Sequence, residues 1–304
     1  MLQANSTVPP TVLTRAGGPA RLRLAAGSVP PTTLVVLAML SVQVGAAMAK
    51  GLFHSIGPAG TVAVRVVFAA VVLLAIGRPR LRGHSRSAYL IALLFGLTIA
   101  AMNFCFYAAL ARIPLGTAVT LEFLGPLGLA VAGSRRLLDL LWTGCAAAGV
   151  LLLSPFAGAS LDPLGIALAL CAATGWAAYI LLAGRAGRDF PGAEGLALGM
   201  GVAAMALLPV GLIAGGSALL SPTLLLQGAG VALLASVLPF SLEFEALKRI
   251  PAAVFGVLMS MEPAIASLVG LLLLGEALGA RTLAALALVS AATIGATRGN
   301  THLP

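Results

Sequence analysis

The chain has 304 residues, of which 60% are hydrophobic and only 9% are charged, with 18 Lys and Arg against 9 Asp and Glu. Soluble proteins carry about 25% charged residues, so this composition excludes a soluble globular protein. Apolar runs of about 18 or more residues recur along the chain. They are typical of an all-α integral membrane protein, because each spanning helix satisfies its own backbone hydrogen bonds.

The apolar runs between helix-breaking residues predict ten spanning helices. Residues 1–32 precede them as a predicted disordered cytoplasmic tail, and residues 298–304 follow as a C-terminal cytoplasmic tail. A signal peptide is the alternative for the N-terminal tail, but the apolar run after Pro30-Pro31 favours a first spanning helix. The predicted spans are 33–52, 58–77, 88–110, 115–133, 141–157, 164–184, 193–213, 224–247, 251–274 and 280–297.

The positions of the basic residues predict the orientation. With a cytoplasmic N-terminus, fourteen Lys and Arg fall on the cytoplasmic side, and only Arg112 and Arg281 fall on the other. This asymmetry is the positive-inside pattern and predicts that both termini are cytoplasmic. It also excludes a nucleic-acid-binding role, because the basic residues are distributed among loops as topology signals. The fourteen are Arg15, Arg21, Arg23, Arg78, Arg80, Arg82, Arg86, Arg135, Arg136, Arg185, Arg188, Lys248, Arg249 and Arg298.

A sequence repeat links the two halves of the chain. ALARIP at 109–114 returns as ALKRIP at 246–251, and the same offset of 137 residues pairs Pro126 with Pro263. Five predicted spans separate the copies, so the copies have opposite orientations. Inverted repeats with proline-interrupted helices are typical of secondary transporters. The predicted repeats are residues 33–157 and 164–297, each with five helices.

Several polar side chains lie inside the predicted spans, where charge is costly and usually functional. Together they could bind both charges of a zwitterion, and a buried carboxylate could also exchange protons. We therefore predict a substrate site for a small amino acid, with proton coupling through Glu122 and Glu262. The candidate substrate-binding residues are Lys50, Arg65, Asn103, Glu122, Glu262, Gln43, Ser260 and Tyr179.

Each candidate has a structural alternative. Lys50 could extend to the external headgroups, Arg65 could form a purely structural ion pair with Glu122 or Glu262, and Asn103 and Gln43 could join helices. Tyr179 could be core packing. Pro126, Pro239 and Pro263 are predicted helix kinks that serve packing or line a cavity. Glu245 is assigned to a surface ion pair with Arg249, four residues later.

Two other classes of site are absent from the sequence. There is no ATP-binding G-x-x-x-x-G-K-[ST] motif, and the histidines His54, His84 and His302 fall in predicted loops or the tail. We therefore predict no enzyme activity, no cofactor and no metal site. The cysteines Cys105, Cys145 and Cys171 lie singly in apolar segments and are predicted to pack there.

Motifs in both halves resemble the EamA-type branch of the drug/metabolite transporter superfamily, and within it the threonine/homoserine exporters. The specific strings are Leu121-Glu122-Phe123 with Gly125-Pro126-Leu127, and Leu258 to Ala264, which reads L-M-S-M-E-P-A. The similarity covers roughly residues 35–297. It implies ten helices in two inverted repeats and export of threonine, homoserine or related amino acids across a bacterial inner membrane. It also favours Lys50, Arg65, Glu122 and Glu262 as site residues.

Two other functions remain open from the residues alone. One is a permease for another small metabolite or a drug with the same fold, although the low aromatic content of 5% disfavours a site built on ring stacking. The other is a passive channel or a membrane-assembly subunit. The expected partners are the lipid bilayer, a small amino acid and protons, with the chain acting as a monomer or a homodimer.

Overall fold

Helices make up the regular structure in the described part of this protein. The structure is a computed structural model and describes residues 29–113, 118, 121–133, 137–153, 162–259, 261, 262 and 265, with six single residues between 280 and 292. No strand occurs among these residues. The helices are α1 Pro31–Gly77, α2 Arg86–Leu110, α3 Leu124–Gly133, α4 Leu137–Leu153, α5 Pro163–Asp189, α6 Glu194–Gly215, α7 Pro222–Ala232, α8 Leu238–Leu247 and α9 Ala252–Met259. A 3₁₀ turn, Gly216–Leu220, precedes α7, and a π-helix, Leu233–Val237, joins α7 to α8.

Five helical segments in the described part of the chain are long and apolar enough to cross a membrane. They carry large apolar side chains on their outer faces, such as Ile213, which is 86% exposed, and Leu226, which is 76% exposed. Such outward apolar surface is compatible with lipid, and the helical structure confirms the prediction of an all-α membrane protein. The segments are Ser55–Gly77, Arg86–Ala109, Pro163–Asp189, Glu194–Gly215 and Pro222–Leu247.

The first two predicted spans are joined by a helical segment with a single kink, where a loop was predicted. The predicted loop at 53–57, which includes His54, is wrong, because the backbone stays helical up to Gly57. Gly57 alone leaves the helical region, with φ 67° and ψ 174°. A residue without a Cβ adopts this φ at little cost, and Pro58 is suited to begin the next helix. We call residues 31–56 the first arm of α1 and residues 58–77 its second arm.

Helices from the two halves of the chain pack against each other. The second arm lies against α6, with Gly77 beside Ala197 and Gly60 beside Gly215. The first arm lies against the helical run from α7 to α8, α2 packs on α5 and α6, and α3 packs on α5 and α9. The interior of the described part is therefore lined by residues from before 153 and after 162.

Three loops with basic residues meet at one end of the bundle, which we call the basic end. His84 Nε2 lies 3.3 Å from Glu194 Oε2, and the His84 ring lies 4.6 Å from that of Phe190. Lys248 Nζ donates to the Gly192 carbonyl at 2.6 Å, which adds the loop after α8. At the far end of α2, Arg112 pairs with Asp162 at 2.9 Å. The structure thus gathers Arg78, Arg80, Arg82, Arg86, Arg188, Lys248 and Arg249 near one end and places Arg112 at the other.

The two R-I-P turns have the same local structure. After α2, the Arg112 and Ile113 amides both donate to the Ala109 carbonyl, at 2.8 and 2.9 Å. After α8, the Arg249 and Ile250 amides both donate to the Ala246 carbonyl, at 2.8 and 3.1 Å. The second turn lies at the basic end and the first lies at the opposite end.

Gly125→Ala is expected to reduce the amount of folded protein, whereas Gly128→Ala on the same helix is not. A Cβ at Gly125 would overlap the Ala173 carbonyl oxygen of α5, while one at Gly128 meets no atom within 4 Å. Overpacking of this kind costs about 1–3 kcal/mol, and membrane helices depend on small residues for close approach. Size-exclusion chromatography of the detergent extracts measures the difference. Equal amounts of the two variants would contradict the close α3–α5 packing.

Candidate functional site

Arg65 is the buried cation of the interior. It lies on the second arm of α1, only 9% exposed, and one Nη donates to Asn103 Oδ1 on α2. Its guanidinium carbon lies 5.3 Å from the centre of the Tyr107 ring, within the range of a cation–π interaction. Its Nε has no hydrogen-bond partner among the described residues. A buried guanidinium with an unused donor is suited to bind an anion.

Asn103 holds Arg65 in place. Its Oδ1 accepts from Arg65, and its Nδ2 donates to the Ile99 carbonyl one turn earlier, at 2.8 Å. Both polar groups of this amide are thus engaged within the protein. Asn103 therefore orients the guanidinium. The bond to Arg65 also joins α2 to the second arm of α1, which was the structural alternative predicted for this residue.

Glu122 lies where the helix around it is interrupted. Leu121 and Glu122 are helical, Phe123 forms a turn, and α3 begins at Leu124. Pro126 has no amide hydrogen, so the Glu122 carbonyl lacks its usual donor four residues later. The Phe123 ring packs on Trp176 of α5, with ring centres 5.2 Å apart. The side chain of Glu122 is only partly buried, and its charge interacts with those of Arg65 and Glu262.

Glu262 joins the same group from the C-terminal side of α9. It is partly buried, and Gln43 Nε2 on the first arm of α1 donates to its Oε1 at 3.4 Å. The charges of Glu122 and Glu262 interact with each other. The structure therefore brings Arg65, Glu122, Glu262 and Gln43 together from both halves of the chain. We call these four residues the central cluster.

A third acid of the interior, Glu243, was not selected from the sequence. It lies on α8, is 7% exposed, and its Oε2 accepts a hydrogen bond of 2.9 Å from the Tyr179 hydroxyl on α5. Its charge interacts with that of Glu262. One signal was available in the sequence: no basic residue lies three or four positions from Glu243, whereas Glu245 has Arg249. An acid without a local partner on a spanning helix needs one elsewhere.

Aromatic rings pack against the ring of Tyr179. Its ring stacks on Phe95 of α2 at 5.5 Å and meets Phe240 of α8 edge-on at 5.4 Å between ring centres. Phe95 in turn lies 6.2 Å from Phe244. Tyr179 is completely buried, and its hydroxyl is engaged by Glu243. This group lies between the central cluster and the basic end.

Tyr179→Phe is expected to lower the free energy of unfolding by about 1–3 kcal/mol, because the buried Glu243 carboxylate loses its hydrogen-bond donor. Tyr89→Phe is the matched control, since the Tyr89 hydroxyl donates to the Leu81 carbonyl at 2.9 Å in an exposed position. Thermal unfolding in detergent compares the two variants. A Tyr179→Phe protein as stable as Tyr89→Phe would show that the bond to Glu243 adds no stability.

The remaining predicted residues separate into three groups. Glu245 pairs with Arg249 and, at 3.0 Å, with Lys248, which confirms the predicted ion pair. Pro239 is the second residue of α8, separated from the π-helix Leu233–Val237 by Leu238. The side chain of Lys50, together with Ser260 and Pro263, lies outside the described part of the structure.

Comparisons with known proteins identify the family of this chain. Residues 163–298 match the model of the EamA-like transporter family. The threonine/homoserine exporter RhtA of Salmonella typhimurium strain SL1344 is 40% identical over 269 residues, which cover 88% of this chain and 91% of that protein. The chain belongs to the EamA-like transporter family. RhtA of Escherichia coli K12 is 39% identical over the same lengths.

Membership of this family has two consequences. The chain is a transporter rather than an enzyme, and it is a multi-pass membrane protein, as predicted from the composition. A crystal structure of another protein, 19% identical in sequence, has the same fold, with a TM-score of 0.73 over 89% of this chain and 97% of that chain. The central cluster therefore lies inside a transporter.

Proposed function

We propose that this protein is a secondary-active exporter of small amino acids such as threonine and homoserine, acting in a bacterial inner membrane. The RhtA relatives, by name, export these amino acids. The observation that carries the proposal is Arg65, a buried cation with an unused Nε donor, whose charge interacts with that of the acid Glu122. This pairing has one group for each charge of an amino acid.

The roles in binding follow from the charges. Arg65 binds the substrate carboxylate through its free Nε, while Asn103 fixes the guanidinium. Glu122 binds the ammonium group, and its backbone carbonyl, which lacks its usual helical donor at Pro126, supplies a second acceptor beside it. Lys50, Gln43, Ser260 and Tyr179 complete the proposed site, either in contact with the substrate or by holding its neighbours.

Proton coupling uses the two acids of the central cluster. Two interacting carboxylates repel each other in a low-dielectric interior unless cations balance both, and proton uptake by one relieves the repulsion. Glu262 has a neutral amide as its hydrogen-bond partner, whereas Glu122 has Arg65 nearby. We therefore assign the proton to Glu262 and the ammonium group to Glu122. A proton entering from outside would displace substrate towards the external side.

The architecture proposed for transport is ten spans in two inverted repeats, residues 33–157 and 164–297, with residues 1–32 and 298–304 as cytoplasmic tails. The identical hydrogen bonds of the two R-I-P turns support the repeat. The gathering of basic loops at one end supports a cytoplasmic basic end. Alternating access then moves one repeat against the other around the central cluster, between Glu122 of the first and Glu262 of the second.

Uptake of labelled threonine into inside-out membrane vesicles tests the proposal. In this orientation export becomes uptake, and we expect an acidic vesicle interior to drive it and a protonophore to abolish it. Unlabelled homoserine should compete. Vesicles without the protein provide the background. Absence of uptake above this background would refute the export of threonine, and uptake that ignores the pH gradient would refute proton coupling alone.

A further inference from the structure

The helical run that crosses the bundle beside the first arm of α1 changes its hydrogen-bonding register. In the π-helix Leu233–Val237, the Leu238 amide donates to the Leu233 carbonyl, five residues back. Pro239 has no amide hydrogen, and the Leu234 carbonyl, five residues before it, accepts from the Ser41 hydroxyl at 2.6 Å instead. Single π turns inside α-helices are rare and occur frequently at functional sites.

Ser236 lies in this π-helix and has an unsatisfied hydroxyl. The residue is completely buried, and its Oγ has no hydrogen-bond partner among the described residues. Most buried polar atoms in proteins are paired, because leaving one unpaired costs about 1–3 kcal/mol. Ser236 is therefore an exception that calls for a partner.

Three other hydroxyls in the helices are satisfied locally. Thr61, Thr174 and Ser241 each donate to the carbonyl four residues earlier, at 2.8, 3.0 and 2.5 Å. This is the ordinary pattern for Ser and Thr in helices. Ser236 does not form this bond to the carbonyl four residues earlier. Ser236 lies in the π-helix, whereas Ser241, about one turn later, lies in α8. The donor of Ser236 stays available.

Ser236 lies on the same helical face as two residues that contact Tyr179. Ser236, Phe240 and Glu243 are spaced i, i+4 and i+7, so they share one face of the helical run. Phe240 and Glu243 both contact Tyr179, and the charge of Glu243 interacts with that of Glu262.

Contacts with the first arm of α1 show where Ser236 lies along the bundle relative to Gln43. Ser41 contacts Leu234, and a Cβ at Gly45 would lie 2.8 Å from the Ala235 Cβ. Gln43 lies between these two residues and donates to Glu262. Ser236, directly after Ala235, is therefore level with the Gln43–Glu262 hydrogen bond.

We propose that Ser236 binds the side-chain hydroxyl of the transported amino acid and so selects substrates that carry one. This inference rests on the proposed function, in which Arg65 and Glu122 bind the charged groups common to all amino acids. Those groups cannot distinguish threonine from valine, which has a methyl group in place of the hydroxyl. A serine hydroxyl can do so, since it both donates and accepts a hydrogen bond. A site built to pair with a hydroxyl disfavours an analogue that lacks one, because the buried polar group of the protein stays unpaired.

Competition in inside-out vesicles tests the role of Ser236. Unlabelled threonine and unlabelled valine compete against labelled homoserine, and the ratio of their inhibition constants measures the preference for the hydroxyl. We expect Ser236→Ala to reduce the preference for threonine about tenfold, which corresponds to about 1.4 kcal/mol. Ser241→Ala is the matched control, because its hydroxyl is already paired with the Val237 carbonyl and its loss should leave the ratio unchanged.

The possible outcomes separate the two proposals. An unchanged ratio in an active Ser236→Ala protein would overturn the role of Ser236, and so would an equal loss of affinity for threonine and valine, which indicates a structural role. If Ser236→Ala does not accumulate in the membrane, the ratio of inhibition constants is measured in two other variants instead. Ser236→Gly has no side chain at this position, and Ser236→Cys has a weaker hydrogen-bond donor. If wild-type vesicles take up neither threonine nor homoserine, the proposed function fails, and the assignment of Ser236 fails with it.

Discussion

Arg65→Gln is expected to reduce proton-driven threonine uptake about 100-fold or more. Truncating one partner of a buried charge pair costs about 2–5 kcal/mol, and each 1.4 kcal/mol is about a tenfold change. The substitution removes the cation proposed to bind the substrate carboxylate and leaves Glu122 without its nearby positive charge. Initial uptake rates in inside-out vesicles, normalised to the amount of protein, measure the loss.

Two further variants define what Arg65 contributes. Arg65→Lys keeps the charge but loses the planar group that bonds to Asn103 and lies over Tyr107, so we expect an intermediate rate. Arg185→Gln removes an exposed arginine and should transport like the wild type. Transport by Arg65→Gln at the level of Arg185→Gln would assign Arg65 to structure and remove it from the substrate site.

Glu122→Gln and Glu262→Gln are expected to fail in different ways. Glu262 pairs with the neutral amide of Gln43, and a glutamine can form an equivalent bond, so Glu262→Gln should keep threonine exchange and lose only its dependence on the pH gradient. Glu122 is the acid whose charge interacts with that of Arg65 and is proposed to bind the ammonium group, so Glu122→Gln should lose both activities at least about tenfold. Exchange of labelled for unlabelled threonine, with and without a pH gradient, measures the two activities.

Glu245→Gln is the control for this pair, because Glu245 forms an ion pair at the basic end with Lys248 and Arg249. Its removal should change neither activity, since partly exposed ion pairs contribute little. If Glu122→Gln kept exchange and Glu262→Gln lost it, the two roles would be reversed. Gradient-dependent uptake in both variants would exclude proton coupling through either acid.

The sequence alone predicted the fold class and the interior charges. Apolar runs of spanning length have one stable solution in lipid, helices that satisfy their own backbone, so the all-α membrane class followed from composition. Arg65 and Glu122 stood out for a related reason, because charge within such a run is costly. Glu245 was assigned correctly to a local ion pair, since a partner four residues away on a helix is a near neighbour whatever the fold. The motifs around Glu122 and Glu262 also indicated the family.

The tertiary structure decided which polar groups face each other and which lack a partner. Asn103 was selected as a polar residue within a predicted span, and the structure shows that its amide bonds to both Arg65 and the Ile99 carbonyl. Glu243 went unselected because its partner, Tyr179, is 64 residues away in sequence. Ser236 resembles any other serine in the sequence, and only the π-helix distinguishes it from Ser241. Composition and periodicity indicate which polar groups lie within apolar segments, where their burial in lipid is energetically costly. They do not indicate which of these groups form hydrogen bonds between distant helices, because those bonds depend on how the helices pack.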